Sequence, residues 1–127
     1  MQWELNTDKP VYLQLVEQIQ AGIISGIYKA GDKLPSVREL ATEATVSPNT
    51  MQRAMTELER HGLVYANRTS GRFITSDESL IKKLKKQHIT EITRDYLDRM
   101  ELLGLQLDET ISFITEVSES NNNKNSV

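Results

Sequence analysis

The chain has 127 residues, 38% of them hydrophobic and 26% charged, which suits one compact domain with a small appendage rather than two full domains. It has no cysteine, which excludes disulfides and thiolate metal sites, and no apolar run of 18 residues, so no membrane partner is expected. Its net charge of −3 does not advertise nucleic-acid binding, but the charge is uneven: residues 1–75 carry eight basic and eight acidic side chains, residues 76–127 seven and ten. A local basic face is what DNA binding requires, not a basic protein. The start Met1-Gln2-Trp3-Glu4 lacks the basic and apolar regions of a secretion signal, so a cytoplasmic location is expected.

A first helix is predicted to start near Asp8-Lys9-Pro10, since proline is tolerated in a first turn. Leu13, Val16, Ile19, Ile23 and Ile27 recur at helical spacing, and Gly26 is the expected left-handed stop. Tyr28 to Lys33 is turn-rich, with room for a short strand. Ser36-Val37-Arg38-Glu39 is a capping box, in which the serine hydroxyl and the glutamate carboxylate each serve the other's amide. It opens a second helix, about Val37 to Ala44, burying Val37, Leu40 and Ala41. Thr45-Val46 makes a turn. Ser47-Pro48 then starts a third helix with serine as cap and proline at the first helical position. Met51, Ala54, Met55 and Leu58 share its inner face; Asn49, Gln52, Arg53, Thr56 and Arg60 share the outer one. Gly62 ends it. Leu63 to Arg68 and Arg72 to Thr75, joined by Thr69-Ser70-Gly71, read as a hairpin.

Two short helices joined by a tight turn, followed by a hairpin, form a unit suited to reading DNA. A helix N-terminus offers free amides and a positive dipole end to a phosphate, and short side chains such as Ser47, Asn49 and Thr50 permit close approach. Asn49 and Gln52 can bridge the N6 and N7 atoms of adenine, and Arg53 can fork onto guanine or hold a phosphate. Arg38 points toward the same strand backbone, and Arg68 and Gly71 of the hairpin can approach the adjacent groove. Glu57 and Glu59 interrupt this basic face, so a winged-helix module that binds proteins is the alternative.

Three segments then carry a resemblance. Leu34-Pro35-Ser36-Val37-Arg38-Glu39-Leu40-Ala41, Val46-Ser47-Pro48-Asn49-Thr50-Met51-Gln52-Arg53-Ala54 and Leu58-Glu59-Arg60-His61-Gly62-Leu63 resemble the GntR family of bacterial regulators, with Pro-Asn-Thr resembling its YtrA-like branch. The resemblance implies a winged helix-turn-helix over residues 1–76, a homodimer and a semi-palindromic double-stranded DNA operator, with repression the expected outcome. It carries DNA contact onto Arg38, Ser47, Asn49, Thr50, Gln52, Arg53, Arg68 and Gly71. Pro48 and Gln52 stand where many members have arginine, and Thr69 where the hairpin usually has its first glycine.

From Asp77 helical spacing resumes at Ile81, Leu84, Ile89, Ile92, Tyr96, Met100 and Leu103, and Gly104 breaks it. Asp108 is the expected cap of a last helix carrying Ile111, Ile114 and Val117. Residues 77–117 are therefore expected to form two helices whose apolar stripes, with Leu84, Ile92, Tyr96, Leu103, Ile111 and Ile114, pair two chains. Helices that short cannot enclose a typical small-molecule pocket of about 300 Å³ or more, so a large dedicated effector pocket is not expected, and the sequence leaves effector binding itself undecided. Residues 118–127, rich in asparagine, are expected to be a disordered tail. The expected fold class is mostly α with a small β-hairpin. No cluster of catalytic side chains is legible, so no enzyme activity and no cofactor are expected. His88, Glu91 and Asp95 share a helix face, but a solvated polar face is expected there rather than a metal site.

Overall fold

The computed structural model describes residues 1–125 and divides into two compact units, Met1–Lys85 and the residues from Lys86 onward. Five helices and one antiparallel hairpin make up the described residues, the mostly helical winged architecture expected from the sequence.

Unit 1 is built on α1 (Val11–Ser25), α2 (Val37–Ala44) and α3 (Pro48–Arg60). Pro10 is the N-cap of α1 rather than part of its first turn; its extended backbone (ψ 137°) lets its carbonyl accept from the amides of Leu13 and Gln14. The buried stripe of α1 is Leu15, Val16, Ile19 and Ile23, so Leu15 takes the place expected of Leu13. Ile27 is exposed, because Gly26 ends the helix at φ 85° before the stripe reaches it. These residues pack with Leu40, Met51, Met55 and Leu58 into one core, closed by Leu63, Val64 and Ile74 of the hairpin. The segment before α1 lies along it: the buried Gln14 carboxamide bonds the Asn6 amide at 2.9 Å and the carbonyls of Asn6 and Lys9, while Gln18 bonds Glu4. Trp3 and Leu5 rest on the core.

Three helices end in one pattern. After α2, the Val46 amide reaches back to the Ala41 carbonyl (3.0 Å) and the Thr45 amide to Thr42 (3.2 Å). After α3, Leu63 and Gly62 do the same to Leu58 and Glu59; Leu105 and Gly104 repeat it further on. This double bond pattern satisfies the last carbonyls of a helix and needs a left-handed residue at its pivot. Glycine supplies it twice, but α2 uses Thr45 at φ 57°, a conformation a β-branched residue adopts at a cost.

The hairpin pairs β1 (Val64–Asn67) with β2 (Gly71–Ile74) in the register Val64↔Ile74 and Tyr65↔Phe73. The connection between α1 and α2 adds a third edge, through a bridge between Lys33 and Phe73 and a Leu34 amide bonded to the Arg72 carbonyl. Tyr28, in the same connection, packs over Gly22, where a Cβ would stand 2.9 Å from its ring. Burial, with the Glu43 carboxylate adding to it, pushes the Tyr28 phenol above its usual pKa.

The helix α4 (Glu78–Leu102) begins in unit 1, where Leu80, Ile81 and Leu84 pack on the core. Leu84, expected on the stripe that pairs two chains, is half-buried and packs against the core of unit 1. Unit 2 comprises the rest of α4 and α5 (Leu107–Asn125). Asp108 lies in the first turn of α5 and does not cap it; the Glu109 carboxylate accepts from the Gln106 amide at 3.1 Å instead. The helix runs through Asn125 where a disordered tail from residue 118 was expected. Once nucleated, a helix extends at little cost even through asparagine, whose propensity penalty is at most about 0.7 kcal/mol per residue. Residues 126 and 127 lie outside the described residues.

Within unit 2 the buried side chain is Thr110. Ile92, Tyr96, Leu103, Ile111 and Ile114 are between 37% and 74% exposed, which means this unit has no apolar core of its own among the described residues. Tyr96 and Met100 of α4 face Phe113, Ile114 and Val117 of α5 across an open groove of about 720 Å³, larger than expected but not an enclosed pocket. No described helix is long and apolar enough to cross a membrane, and no described cluster of His, Asp or Glu could hold a metal ion.

Candidate nucleic-acid interface

The serine caps fix the starts of α2 and α3. Ser36 Oγ accepts from the Glu39 amide at 3.1 Å, the serine half of the predicted box. Ser47 Oγ accepts from the Thr50 amide at 3.2 Å and lies 2.8 Å from Thr50 Oγ1. Both hydroxyls are thus spent on shaping the start of α3. Pro48 needs no partner there, and Asn49 stands exposed in the first turn. Burial of Met51, Ala54, Met55 and Leu58 sets the rotation of α3, turning Asn49, Gln52, Arg53 and Thr56 to solvent.

Three elements meet around an open groove of about 690 Å³: Lys33 to Glu39 before and in α2, Gln52 of α3, and Ser70, Gly71 and Arg72 of the hairpin. Of the residues expected to touch DNA, the groove gathers Arg38, Gln52 and Gly71. Ser47, Asn49 and Thr50 stand at the start of the same α3, and Arg68 is exposed at the tip of the hairpin. Arg53 departs from expectation: its guanidinium lies 3.7 Å over the Tyr12 ring of α1.

Two basic residues of the groove, Lys33 and Arg72, were not among those expected to touch DNA. Lys33 lies beside the hairpin, its Cε 3.4 Å from where a Cβ on Gly71 would sit. Arg72 Nε donates to Glu59 Oε1 at 2.6 Å and its Nη2 to Gln52 Oε1 at 3.4 Å. Strand alternation alone could not have revealed that partner, which lies on another element. The acids that interrupted the outer face of α3 are both compensated: Glu57 pairs with Arg60 at 2.7 Å and Glu59 with Arg72.

A second helix packed across the first, entering through a tight turn and flanked by a two-stranded wing, defines the winged helix-turn-helix class of DNA-reading domain. Residues 11–74 match the bacterial regulatory proteins of the gntR family, and the chain belongs to this family. It is 36% identical over 116 residues to the uncharacterized HTH-type transcriptional regulator YhcF of Bacillus subtilis, covering 91% of this chain and 96% of that protein. It is 34% identical over 119 residues to the HTH-type transcriptional repressor YtrA of the same organism, covering 93% and 92%. Among solved structures, a GntR family transcriptional regulator from Listeria monocytogenes superposes with a TM-score of 0.84 at 38% identity, over 88% of this chain and 98% of that one. The DNA-binding domain of AraR, solved in complex with an operator, superposes at 0.51 with 31% identity over 53% of this chain and 81% of its own. The protein is a DNA-binding transcriptional regulator of this family and not an enzyme.

Proposed function

We propose that this chain is a cytoplasmic repressor that binds a semi-palindromic operator as a homodimer, with the start of α3 in the major groove. The observation that carries this reading is the groove shared by α2, α3 and the wing, which sets Lys33, Arg38 and Gln52 around one concave surface. Asn49 and Gln52 face the bases, Arg53 joins them on leaving Tyr12, and Ser47 and Thr50 admit the phosphate backbone to the helix start. Arg38, Lys33, Arg68 and the Gly71 backbone hold phosphates on either side. Repression follows the named activity of YtrA, which resembles this chain over nearly its whole length. Pairing of two chains is supported by the exposed apolar faces of α4 and α5 in unit 2. The compensation of Glu57 and Glu59 weakens the case for a protein-binding wing.

Gel shifts with DNA from upstream of its own gene test the reading. Affinity is expected to fall steeply with salt, and Arg38→Ala to weaken all sequences and lower the salt slope by about one. Equal binding to every DNA, or none, from a folded protein would refute it.

A further inference from the structure

We propose that Arg72 and Glu59 are positioning residues for base selection, and that they fix the Gln52 carboxamide so that it offers the base a single N–H donor rather than the donor and acceptor pair that reads adenine through two bonds. The inference rests on the reading above that Gln52 faces the bases. A glutamine carboxamide has two faces, an acceptor oxygen and a donor nitrogen, and bidentate adenine reading needs both turned to the base. Here the oxygen is turned to Arg72 Nη2 at 3.4 Å, and the nitrogen lies 3.5 Å from Thr56 Oγ1, with one N–H still free. That N–H alone suits any major-groove acceptor (guanine O6 or N7, thymine O4, adenine N7) and leaves adenine without the second bond, from its N6, that would favour it. Arg72 is itself held: its Nε donates to Glu59 at 2.6 Å, and the pair is about two-thirds or more shielded from solvent. The wing arginine is therefore charge-balanced within the chain and serves α3 rather than a phosphate. Thr56 completes the arrangement, its hydroxyl anchored on the Gln52 carbonyl at 3.0 Å.

The test is selection by the full chain from a randomised double-stranded DNA library, read by sequencing, with salt titration of the selected DNA and a thermal melt of each variant. Gln52→Ala identifies the base pair that Gln52 reads. Arg72→Met is expected to shift preference at that pair alone toward adenine, on the order of tenfold. Arg72→Lys, which keeps the charge opposite Glu59 but lacks the rigid planar fork that holds both partners, is expected to give a smaller shift in the same direction and carries the test if the methionine variant does not fold. Glu59→Gln is expected to give a smaller shift and to steepen the salt slope by about one, since the guanidinium charge is no longer neutralised. A uniform loss of affinity in Arg72→Met with unchanged base preferences and a slope shallower by about one would make Arg72 a phosphate contact and overturn the inference alone. Sequence preferences unchanged by Gln52→Ala would overturn it through Gln52, leaving the regulator reading intact. A wild type without any sequence preference would overturn both.

Discussion

The guanidinium of Arg53 lies 3.7 Å from the centre of the Tyr12 ring, tying α3 to the first turns of α1. A contact of this kind at a partly exposed position contributes about 0.5–1 kcal/mol. An arginine so held must leave the ring before it can fork onto a base. Tyr12→Leu is therefore expected to lower stability by roughly that amount while tightening operator binding several-fold, because the competing state is removed. Chemical denaturation and gel shifts on the same variant check both signs. Unchanged DNA affinity would show that Arg53 stays on Tyr12 in the complex.

The turn between α2 and α3 stores a cost at Thr45, the non-glycine residue with positive φ among the described residues. Gly62 and Gly104 fill the same role at the ends of α3 and α4. Thr45→Gly is expected to stabilise the domain by about 0.5–1 kcal/mol: the relieved left-handed strain of roughly 1–2 kcal/mol outweighs glycine's larger entropy loss. Thermal melting would show it as a rise of several degrees. A lower melting temperature would mean that the Thr45 side chain contributes something its exposed position does not suggest.

What the sequence made legible follows from how local each signal is. The serine caps, the inner face of α3 and the hairpin are written in adjacent residues, and the structure has them where spacing put them. The buried stripe of α1 was misread at Leu13 and Ile27, because periodicity does not say where a helix stops or which neighbours cover it. The partners of Arg53 and Arg72 were beyond reach for the same reason: Tyr12 and Glu59 lie on other elements, 41 and 13 residues away along the chain. For the asparagine run after residue 118, composition argues for disorder while the helix formed upstream is carried to Asn125.

Tyr28 is expected to make the stability of the domain fall as pH rises above 10.0. Burial, and then the Glu43 carboxylate, raise its pKa in the folded state above the ordinary 10.0. The folded protein therefore holds this proton more tightly than the unfolded chain. The stabilisation is fully present below pH 10.0 and is lost as pH rises from there through the folded pKa. Tyr28→Phe has no proton to lose, so its stability is expected to fall less steeply above pH 10.0 than that of the parent. Urea denaturation at a series of alkaline pH values compares the slopes, and parallel slopes would show that Tyr28 does not cause the fall.

Unit 2 gives the sharpest test of assembly. With Ile92, Leu103, Ile111 and Ile114 exposed, α4 and α5 lack enough mutual burial to account for their apolar faces. Ile111→Glu or Ile114→Glu places a charge on that face and leaves the core residues of unit 1 unchanged. Each variant is expected to keep the melting of the winged domain, to sediment as a monomer at micromolar concentration, and to bind the full operator more weakly on the order of 100-fold, because the second reading head no longer binds at high effective concentration. Paired reading heads sit about 34 Å apart on one face of the duplex, so inserting five base pairs between half-sites should weaken the parent similarly and leave the monomeric variants unaffected. A monomeric parent, or variants that still sediment as dimers, would place the assembly surface elsewhere.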